Sequence, residues 1–257
     1  MLPIFDTHAH YDDEEFDGDR DSILSELPGK GIAKLVDVGS SLESSMKACA
    51  LAEKYPHVYC AVGVHPSETA GLNEDNFIQL KNKCLHEKCV AVGEIGLDYH
   101  WNEPSPALQK KWFVRQLALA REINKPVIIH SAAKDTVDIM TAENAGETGG
   151  VVHCYSYTKE TARTFLNMGF YFGIGGVLTF KNARRLKEAV DYIPLDRIVL
   201  ETDCPYLAPE PHRGHRNTSE YIPYVVTALA EIKGISEAEV REAAWENSHR
   251  LYRMRLV

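Results

Sequence analysis

Phe5-Asp6-Thr7-His8-Ala9-His10 places two histidines one residue apart, directly after a short apolar run that begins at Leu2. In an extended strand, side chains two residues apart point to the same face, so both imidazoles can reach one point. An isolated His-x-His pair is weak evidence for a metal site. Its weight here comes from further histidines and carboxylates that follow later apolar runs of the chain.

Eight short apolar runs alternate with segments of helical pattern along the chain. Each run is continuous, which is typical of strands buried on both faces of a parallel sheet. The predicted strands cover residues 2–7, 32–38, 58–64, 89–95, 127–129, 150–152, 170–174 and 198–201. Eight strand–helix units predict an α/β fold of the (β/α)8 TIM-barrel type. The length of 257 residues suits a single domain over residues 1–257.

Composition argues against several classes of protein. The net charge is -9 and no run of Lys or Arg forms a basic tail, so an extended duplex-binding surface is not expected. No stretch approaches the ~18 apolar residues of a membrane span. Six cysteines without a Cys-x-x-Cys motif predict reduced thiols, and residue 6 already belongs to the predicted site, which leaves no room for a cleavable signal peptide. We expect a cytoplasmic protein with no membrane association and no obligatory protein partner.

Candidate metal ligands end five of the predicted strands. They are His8 and His10 after strand one, Glu94 at the end of strand four, His130 after strand five, His153 after strand six and Asp203 after strand eight. A single histidine in such a position is more often a core or loop residue, and a single carboxylate is more often a helix cap. Because this barrel builds its active site at the carboxyl ends of its strands, the six residues together predict a metal site.

Four imidazoles and two carboxylates exceed the roughly three protein ligands that one catalytic ion usually has. Two divalent cations fit this donor set better, with the carboxylate of Glu94 as the bridge. No lysine ends strand four, five or six, so a carbamylated lysine is not available for that role. Mixed imidazole and carboxylate donors suit Zn, Mn, Fe or Ni, and also Mg with water in its shell. We expect Mg, Mn or Zn.

Several segments resemble motifs of the TatD family of metal-dependent deoxyribonucleases. They are Phe5-Asp6-Thr7-His8-Ala9-His10, Val62-Gly63-Val64-His65-Pro66, Gly93-Glu94-Ile95-Gly96-Leu97-Asp98-Tyr99, Val152-His153-Cys154, Glu201-Thr202-Asp203-Cys204-Pro205-Tyr206-Leu207 and Pro211-His212-Arg213-Gly214. The likeness runs from Asp6 to about Arg250, nearly the whole chain.

The resemblance implies a barrel of the amidohydrolase superfamily that hydrolyses phosphodiester bonds of DNA, often as a 3′→5′ exonuclease. It also implies how the ligands are shared. His8, His10, Glu94 and Asp203 would hold one ion, and Glu94, His130 and His153 would hold the other.

Three positions depart from the family's common pattern. Ala132 stands where many members carry an arginine, Tyr157 stands where a glycine is common, and Thr218-Ser219 replaces a frequent Glu-Pro pair. The metal ligands are unchanged, so the departures bear on contacts with the substrate.

Asp203 and Glu94 are the predicted catalytic residues. A water bound by both metals would attack phosphorus, and Asp203 is placed to take its proton. The predicted substrate-binding residues are His65, His212 and Arg213, because loops after strands seven and eight commonly seat a phosphate and arginine pairs phosphate through two hydrogen bonds. An ordinary solvated basic turn and a purely structural role for His65 are the alternatives. Base stacking by Asp98-Tyr99-His100-Trp101 competes with a simple cover of the barrel mouth.

Two other functions compete with a nuclease that acts on DNA or another phosphodiester. The first is an amidohydrolase or esterase that uses the same barrel site on a small molecule. The second is a scaffold without catalysis, which ligands at the catalytic rim argue against. The acidic chain favours action on strand ends or single strands, where few phosphate contacts suffice.

Overall fold

The computed structural model of the chain describes residues 2–100, 103–131 and 134–256. Within these ranges, eight parallel strands form one sheet in which each strand pairs with the next in sequence order. The strands are β1 (Ile4–Ala9), β2 (Ile32–Val38), β3 (Val58–Val62), β4 (Cys89–Gly96), β5 (Val127–His130), β6 (Gly150–Val152), β7 (Tyr171–Ile174) and β8 (Ile198–Leu200).

A helix follows each strand, and one more helix lies near the end of the described residues. The helices are α1 (Arg20–Glu26), α2 (Leu42–Lys54), α3 (Glu74–Cys84), α4 (Pro106–Glu122), α5 (Lys134–Ala142), α6 (Lys159–Asn167), α7 (Arg184–Tyr192), α8 (Ile222–Lys233) and α9 (Glu237–Leu251). The alternation of strands and helices confirms the predicted (β/α)8 barrel.

Helix boundaries follow from local chemistry. α2 begins after Ser41, whose side chain accepts a hydrogen bond from the backbone N–H of Ser44. α4 begins at Pro106, which has no N–H and so loses nothing at the first helical position. α8 ends at Gly234, which adopts the left-handed conformation with φ of 65°.

Strand β3 ends at Val62, two residues before the predicted end. Beyond this point, side chains of two neighbouring helices accept hydrogen bonds from the backbone N–H groups. The N–H of Gly63 donates to the hydroxyl of Ser45 at 3.2 Å, and the N–H of Val64 donates to the side-chain carbonyl of Gln116 at 2.8 Å. The chain therefore leaves the sheet three residues before His65 and carries this residue onto the rim.

The segment that follows β8 closes the barrel against the carboxyl end of β1. The N–H of His10 donates to the carbonyl of Cys204 at 2.8 Å, and the N–H of Asp203 donates to the carbonyl of His8 at 2.9 Å. Ala9 and Cys204 form a parallel bridge. Closure thus takes place among the candidate ligands themselves.

The apolar core has two parts. The larger part lies between the strands and the helices. A smaller cluster fills the barrel and includes Phe5 of β1, Val36 of β2 and Ile128 of β5, with Tyr252 packed against them after α9. The hydroxyl of Tyr252 donates to the carbonyl of Thr7 at 2.7 Å, so the end of α9 is fixed to β1.

No helix within the described ranges is long and apolar enough to cross a lipid bilayer. The single domain over residues 1–257 stays a prediction; the packing of α9 on β1 and β8 supports it.

Candidate metal centre

The two histidines of the opening motif face each other at the end of the first strand. The Nε2 atoms of His8 and His10 lie 3.0 Å apart. The Nδ1 atom of His10 lies 2.7 Å from the carbonyl of Val38, so this nitrogen carries a proton and donates. Two ring nitrogens at such a distance need a shared proton between them or a cation beside them. The donor pair therefore fits the metal site that the sequence predicts.

Glu94 lies between two groups of imidazoles. Its Oε1 atom lies 2.6 Å from Nδ1 of His130 and 3.2 Å from Nε2 of His153. Its Oε2 atom faces the histidines of β1, at 3.5 Å from Nε2 of His8 and 3.9 Å from Nε2 of His10. One buried carboxylate thus presents a different oxygen to each group, which is the placement that a bridging ligand requires.

Asp203 completes the group on the side of β1. Its Oδ1 atom lies 3.4 Å from Nε2 of His10 and 3.7 Å from Nε2 of His8. The residue follows β8 in the left-handed conformation with φ of 58°, which is costly for a side chain with a Cβ atom. The hydrogen bond from its N–H to the carbonyl of His8 holds it there. Backbone strain is thus located at a candidate ligand.

The structure gathers all six predicted ligands into one cluster, in which each lies near at least one other. Four sets of three residues each offer ligand atoms that all lie within 4.8 Å of one another. The sets are His8, His10 and Glu94; Glu94, His130 and His153; His65, Asp98 and His130; and His8, His153 and Glu201. The first two contain only predicted ligands. Asp98 and Glu201 were not among the predicted site residues.

Electrostatics keep the two carboxylates ionised. Burial raises the pKa of Glu94, but the charge of His153 and the hydrogen bond from His130 outweigh it and hold the pKa well below its usual range. Burial likewise opposes ionisation of Asp203, and the charge of His153 with the hydrogen bond from His10 outweighs it and lowers the pKa. Both side chains are therefore anionic ligands at neutral pH.

The imidazoles balance this charge. Burial lowers the pKa of His10, but the hydrogen bond and charge of Asp203 outweigh it and raise the pKa to about 10. Burial and the neighbouring charge of His153 lower the pKa of His8. His10 therefore holds a proton that His8 accepts, and a cation that binds both nitrogens must displace this proton.

A pocket of about 390 Å³ opens over the centre. Five predicted ligands line it, namely His10, Glu94, His130, His153 and Asp203, whereas His8 lies beneath. The other lining residues are Asp12, Asp13, Ser40, His65 and Tyr206. The tyrosine is 53% exposed, so its ring is available to a ligand at the mouth.

His65 lies in the pocket wall, as predicted for a residue that contacts the substrate. Its Nε2 atom lies 3.9 Å from Oε1 of Glu94, and its Nδ1 atom pairs with the hydroxyl of Ser67 at 2.8 Å. Burial lowers the pKa of His65 to about 4, so the ring is neutral at physiological pH. Its part in binding a substrate stays a prediction.

His212 and Arg213 lie outside the pocket wall. The ring of His212 stacks on Tyr221 with 4.0 Å between centroids, and its Nε2 atom lies 3.1 Å from the hydroxyl of Tyr224. The guanidinium of Arg213 lies over the ring of Phe180 at 4.3 Å. Neighbours from other segments thus hold both side chains in this conformation, and their role as phosphate contacts stays a prediction.

The departures from the family pattern have different structural settings. The hydroxyl of Tyr157 donates to the carbonyl of Ser131 near β5, and the hydroxyl of Ser219 donates to Asp6 at 2.7 Å. Ala132 and Trp101, named above, lie outside the described residues.

Sequence reasoning missed Asp12, Tyr206 and Glu201. A signal existed for each of them. Asp12 follows His10 by two residues, and the other two flank Asp203 within three residues on either side. Their roles depend on how the chain turns at the rim, which periodicity within a strand does not predict.

Imidazoles and carboxylates gathered at the carboxyl ends of barrel strands define a metal-dependent hydrolase site. A family model described as TatD related DNase matches residues 5–253, and the chain belongs to the TatD family. It is a metal-dependent hydrolase of the TatD type.

Individual relatives agree with this family assignment over nearly their full lengths. The chain is 40% identical to the metal-dependent hydrolase YabD of Bacillus subtilis, with 98% of this chain and 99% of the relative covered. It is 32% identical to the 3′-5′ ssDNA/RNA exonuclease TatD of Cronobacter sakazakii, with 97% of each covered. The crystal structure of YjjV, a TatD homologue from Escherichia coli, superposes with a TM-score of 0.92 at 30% identity over 98% of both chains.

Proposed function

We propose that the protein is a metal-dependent exonuclease that hydrolyses phosphodiester bonds from the 3′ end of single-stranded DNA. The position of Glu94 carries this proposal, because one carboxylate faces two groups of imidazoles beneath an open pocket. A relative of similar length that is named a 3′-5′ ssDNA/RNA exonuclease supports the choice of substrate.

The residues fit two divalent cations. His8, His10, Glu94 and Asp203 would hold one ion, and Glu94, His130 and His153 would hold the other. Anionic oxygens and imidazole nitrogens are suitable donors for Zn or Mn, and the carboxylates also suit Mg. When bound, such a pair of cations supplies a nucleophilic hydroxide near neutral pH and offsets the charge that builds on the phosphate oxygens.

The side chains of the protein supply the remaining parts of the mechanism. Asp203 is ionised and lies at the edge of the pocket, so it can accept the proton of the attacking water. The carbonyl of Val38 fixes the ring of His10 through its Nδ1 proton. His65, neutral and anchored by Ser67, can donate a hydrogen bond from Nε2 to a phosphate oxygen.

Charge favours an end-directed substrate over a duplex. The chain has a net charge of -9, and Asp12 and Asp13 line the pocket beside the candidate ligands. A protein that tracks duplex DNA makes many phosphate contacts with Lys and Arg, whereas a strand end needs few. The exposed ring of Tyr206 offers a stacking surface for an unpaired base.

The test begins with protein stripped of metal and reloaded with Mg, Mn or Zn, one at a time. The substrates are a 5′-labelled single strand with a free 3′ end, the same strand with a blocked 3′ end, and a covalently closed circle. We expect stepwise shortening of the first substrate alone, and no cleavage by Glu94→Ala. Cleavage of the circle would contradict the end-directed mode, and no cleavage of any strand by metal-loaded protein would contradict the nuclease.

One observation favours an amidohydrolase or esterase as the second candidate. Among the described residues, those that line the pocket include no lysine and no arginine, and Arg213 lies elsewhere. A neutral cyclic amide or ester would need no such cation. Hydrolysis of a panel of these compounds by protein that leaves single strands intact would favour this function.

A further inference from the structure

Three buried polar atoms beneath the candidate centre have no hydrogen-bond partner among the described residues. They are Nδ1 of His8, Nδ1 of His153 and Oε2 of Glu201. The three side chains are almost fully excluded from solvent, with exposures of 1%, 6% and 1%. Buried polar atoms in native proteins are nearly always paired, so three orphans in one place require an explanation.

The two histidines form a stacked pair. Their ring centroids lie 3.8 Å apart and their planes differ by 17°. On one side, the Nε2 atoms of His8 and His153 lie 3.5 and 3.2 Å from the oxygens of Glu94. The stacked rings therefore present the same nitrogen to the pocket side of the centre.

Glu201 lies on the opposite side of the pair. Its Oε1 atom lies 3.4 Å from Nδ1 of His153, and ligand atoms of His8, His153 and Glu201 all lie within 4.8 Å of one another. Glu201 is absent from the wall of the pocket, so it faces the rings from behind. The two imidazoles are thus held between two carboxylates.

Neighbouring backbone groups leave room for the carboxylate of Glu201 and bind it. The backbone N–H of Cys154 donates to Oε1 of Glu201 at 2.6 Å, which fixes one oxygen. A Cβ atom on Gly173 of β7 would lie 1.9 Å from Oε2. Glycine at this position is therefore required for Glu201 to keep its place beside the rings.

The chemistry of a ligand histidine explains the arrangement. A neutral imidazole that offers the lone pair of Nε2 to a cation carries its proton on Nδ1. That buried N–H needs an acceptor, and a carboxylate behind the ring is the usual one at metal centres. The carboxylate of Glu201 lies beside both rings, with Oε1 at 3.4 Å from Nδ1 of His153, and is the acceptor that this tautomer requires.

We propose that Glu201 is a positioning residue that accepts the Nδ1 protons of both His8 and His153 and so fixes the tautomer and orientation of two metal ligands at once. The proposal rests on the metal centre of the proposed function. It concerns residues on both sides of that centre, because His8 belongs to one candidate ion site and His153 to the other.

The first test observes the histidines directly. Protein labelled with ¹⁵N at histidine and loaded with Zn²⁺ is examined by long-range ¹H–¹⁵N NMR, which distinguishes the two tautomers. We expect two slowly exchanging Nδ1 protons, assigned to His8 and His153 through His→Asn variants of each. Nε2–H tautomers at these two positions, or Nδ1 protons that exchange as fast as those of exposed histidines, would overturn the proposal.

The second test removes the acceptor. Glu201→Gln keeps the size of the side chain and an oxygen for the N–H of Cys154, but it loses the charge. We expect the affinity for Zn²⁺, measured by competition with a chelating dye, to fall about 10–100-fold. Glu188→Gln, on the exposed surface of α7, is the matched control and should bind Zn²⁺ like the wild type.

Folding and function are separated within the same design. If Glu201→Gln fails to fold, as judged by circular dichroism, the NMR experiment on the wild type decides alone. A folded Glu201→Gln protein that retains wild-type affinity and wild-type histidine tautomers would contradict the proposal. Absence of DNA cleavage by the wild type would contradict the proposed nuclease function. The Zn²⁺ affinity and the NMR spectra would still decide the role of Glu201.

Discussion

The carboxylate of Asp6 on β1 accepts two hydrogen bonds from Thr202, one from the backbone N–H at 3.1 Å and one from the hydroxyl at 2.7 Å. The hydroxyl of Ser219 adds a third donor at 2.7 Å, and the backbone N–H of His8 adds a fourth at 3.2 Å. These contacts fasten the first strand to the segment after the last strand, between His8 and Asp203. Asp6 thus fixes the backbone that carries candidate ligands from both strands.

Asp6→Ala should lower the free energy of unfolding by about 3 kcal/mol, because four buried donors lose their acceptor. Urea denaturation of metal-free protein measures the change. Asp17→Ala, at a side chain 70% exposed on the surface, is the control and should change stability by less than about 0.5 kcal/mol. A loss at Asp6 no greater than that of the control would show that the contacts do not stabilise the closure.

The buried carboxyl group of Asp6 also makes the stability of the protein depend on pH. Burial raises the pKa of Asp6 from 3.8 to about 7, although its hydrogen bonds act in the opposite direction. A raised pKa in the folded state means that the native protein holds the proton more tightly than the unfolded chain does. The stability that the protonated side chain of Asp6 gives the folded protein is fully present below pH ~4. It is lost as the pH rises through about 7.

Asp6→Asn does not titrate and so isolates this contribution. The stability of the wild type relative to Asp6→Asn should fall by about 4 kcal/mol between pH 4 and pH 8, at about 1.4 kcal/mol per pKa unit. The measurement is urea denaturation of both metal-free proteins across this range. A difference that stays constant with pH would show that Asp6 keeps an ordinary pKa.

Glu94→Gln should weaken metal binding at the candidate centre while keeping the size of the side chain. An amide cannot supply two anionic oxygens to two groups of imidazoles, so we expect fewer metal ions per chain by elemental analysis. Activity in the assay proposed above should fall by roughly 10³-fold. Glu188→Gln again serves as the control, and an active Glu94→Gln protein with full metal content would contradict the bridging role.

Metal binding should release protons at pH 7.5. Interactions with Asp203 and Glu94 outweigh burial and raise the pKa of His10 to about 10, and Glu94 and Glu201 likewise raise the pKa of His153 above its usual value. Both rings are then protonated before the metal binds, and the cation displaces their protons. Titration calorimetry with Zn²⁺ in buffers of different ionisation enthalpy measures the release. A heat that does not depend on the buffer would show that the imidazoles are already neutral.

Tyr206 should contribute to substrate binding through its exposed ring. Tyr206→Ala should raise KM for single-stranded DNA about 5–10-fold with little change in kcat, as expected from the loss of one stacked base. Tyr206→Phe retains the ring and loses only the hydrogen bond to Asp13 at 2.8 Å, so it should behave like the wild type. Tyr192→Ala on α7 controls for the loss of a surface ring. Equal KM values in all four proteins would exclude stacking at this position.

The sequence predicted the barrel and all six side chains of the cluster for one physical reason. Parallel strands buried on both faces read as continuous apolar runs, and their carboxyl ends meet at one rim. A histidine or carboxylate directly after such a run is therefore placed by the backbone alone. Nδ1 of His130 and Oε1 of Glu94 lie 2.6 Å apart, although the two residues are 36 positions apart in sequence.

The remaining contacts depend on packing that no local pattern contains. His212 lies against Tyr221 and Arg213 against Phe180 because of how the loop after β8 folds over its neighbours. Glu201 needs the absence of a side chain at Gly173, which is a property of a different strand. The early end of β3 likewise depends on Ser45 and Gln116, which reach it from two helices.

The closure between Ala9 and Cys204 sets an order of events during synthesis. A ribosome makes His8 and His10 long before it makes Asp203, because 193 positions of sequence separate His10 from Asp203. The histidines of β1 consequently remain without the carboxylate of Asp203 until that residue has been translated. The group of candidate ligands on the side of β1 can thus be completed only after Asp203 has been made, and a nascent chain released before residue 203 lacks this carboxylate.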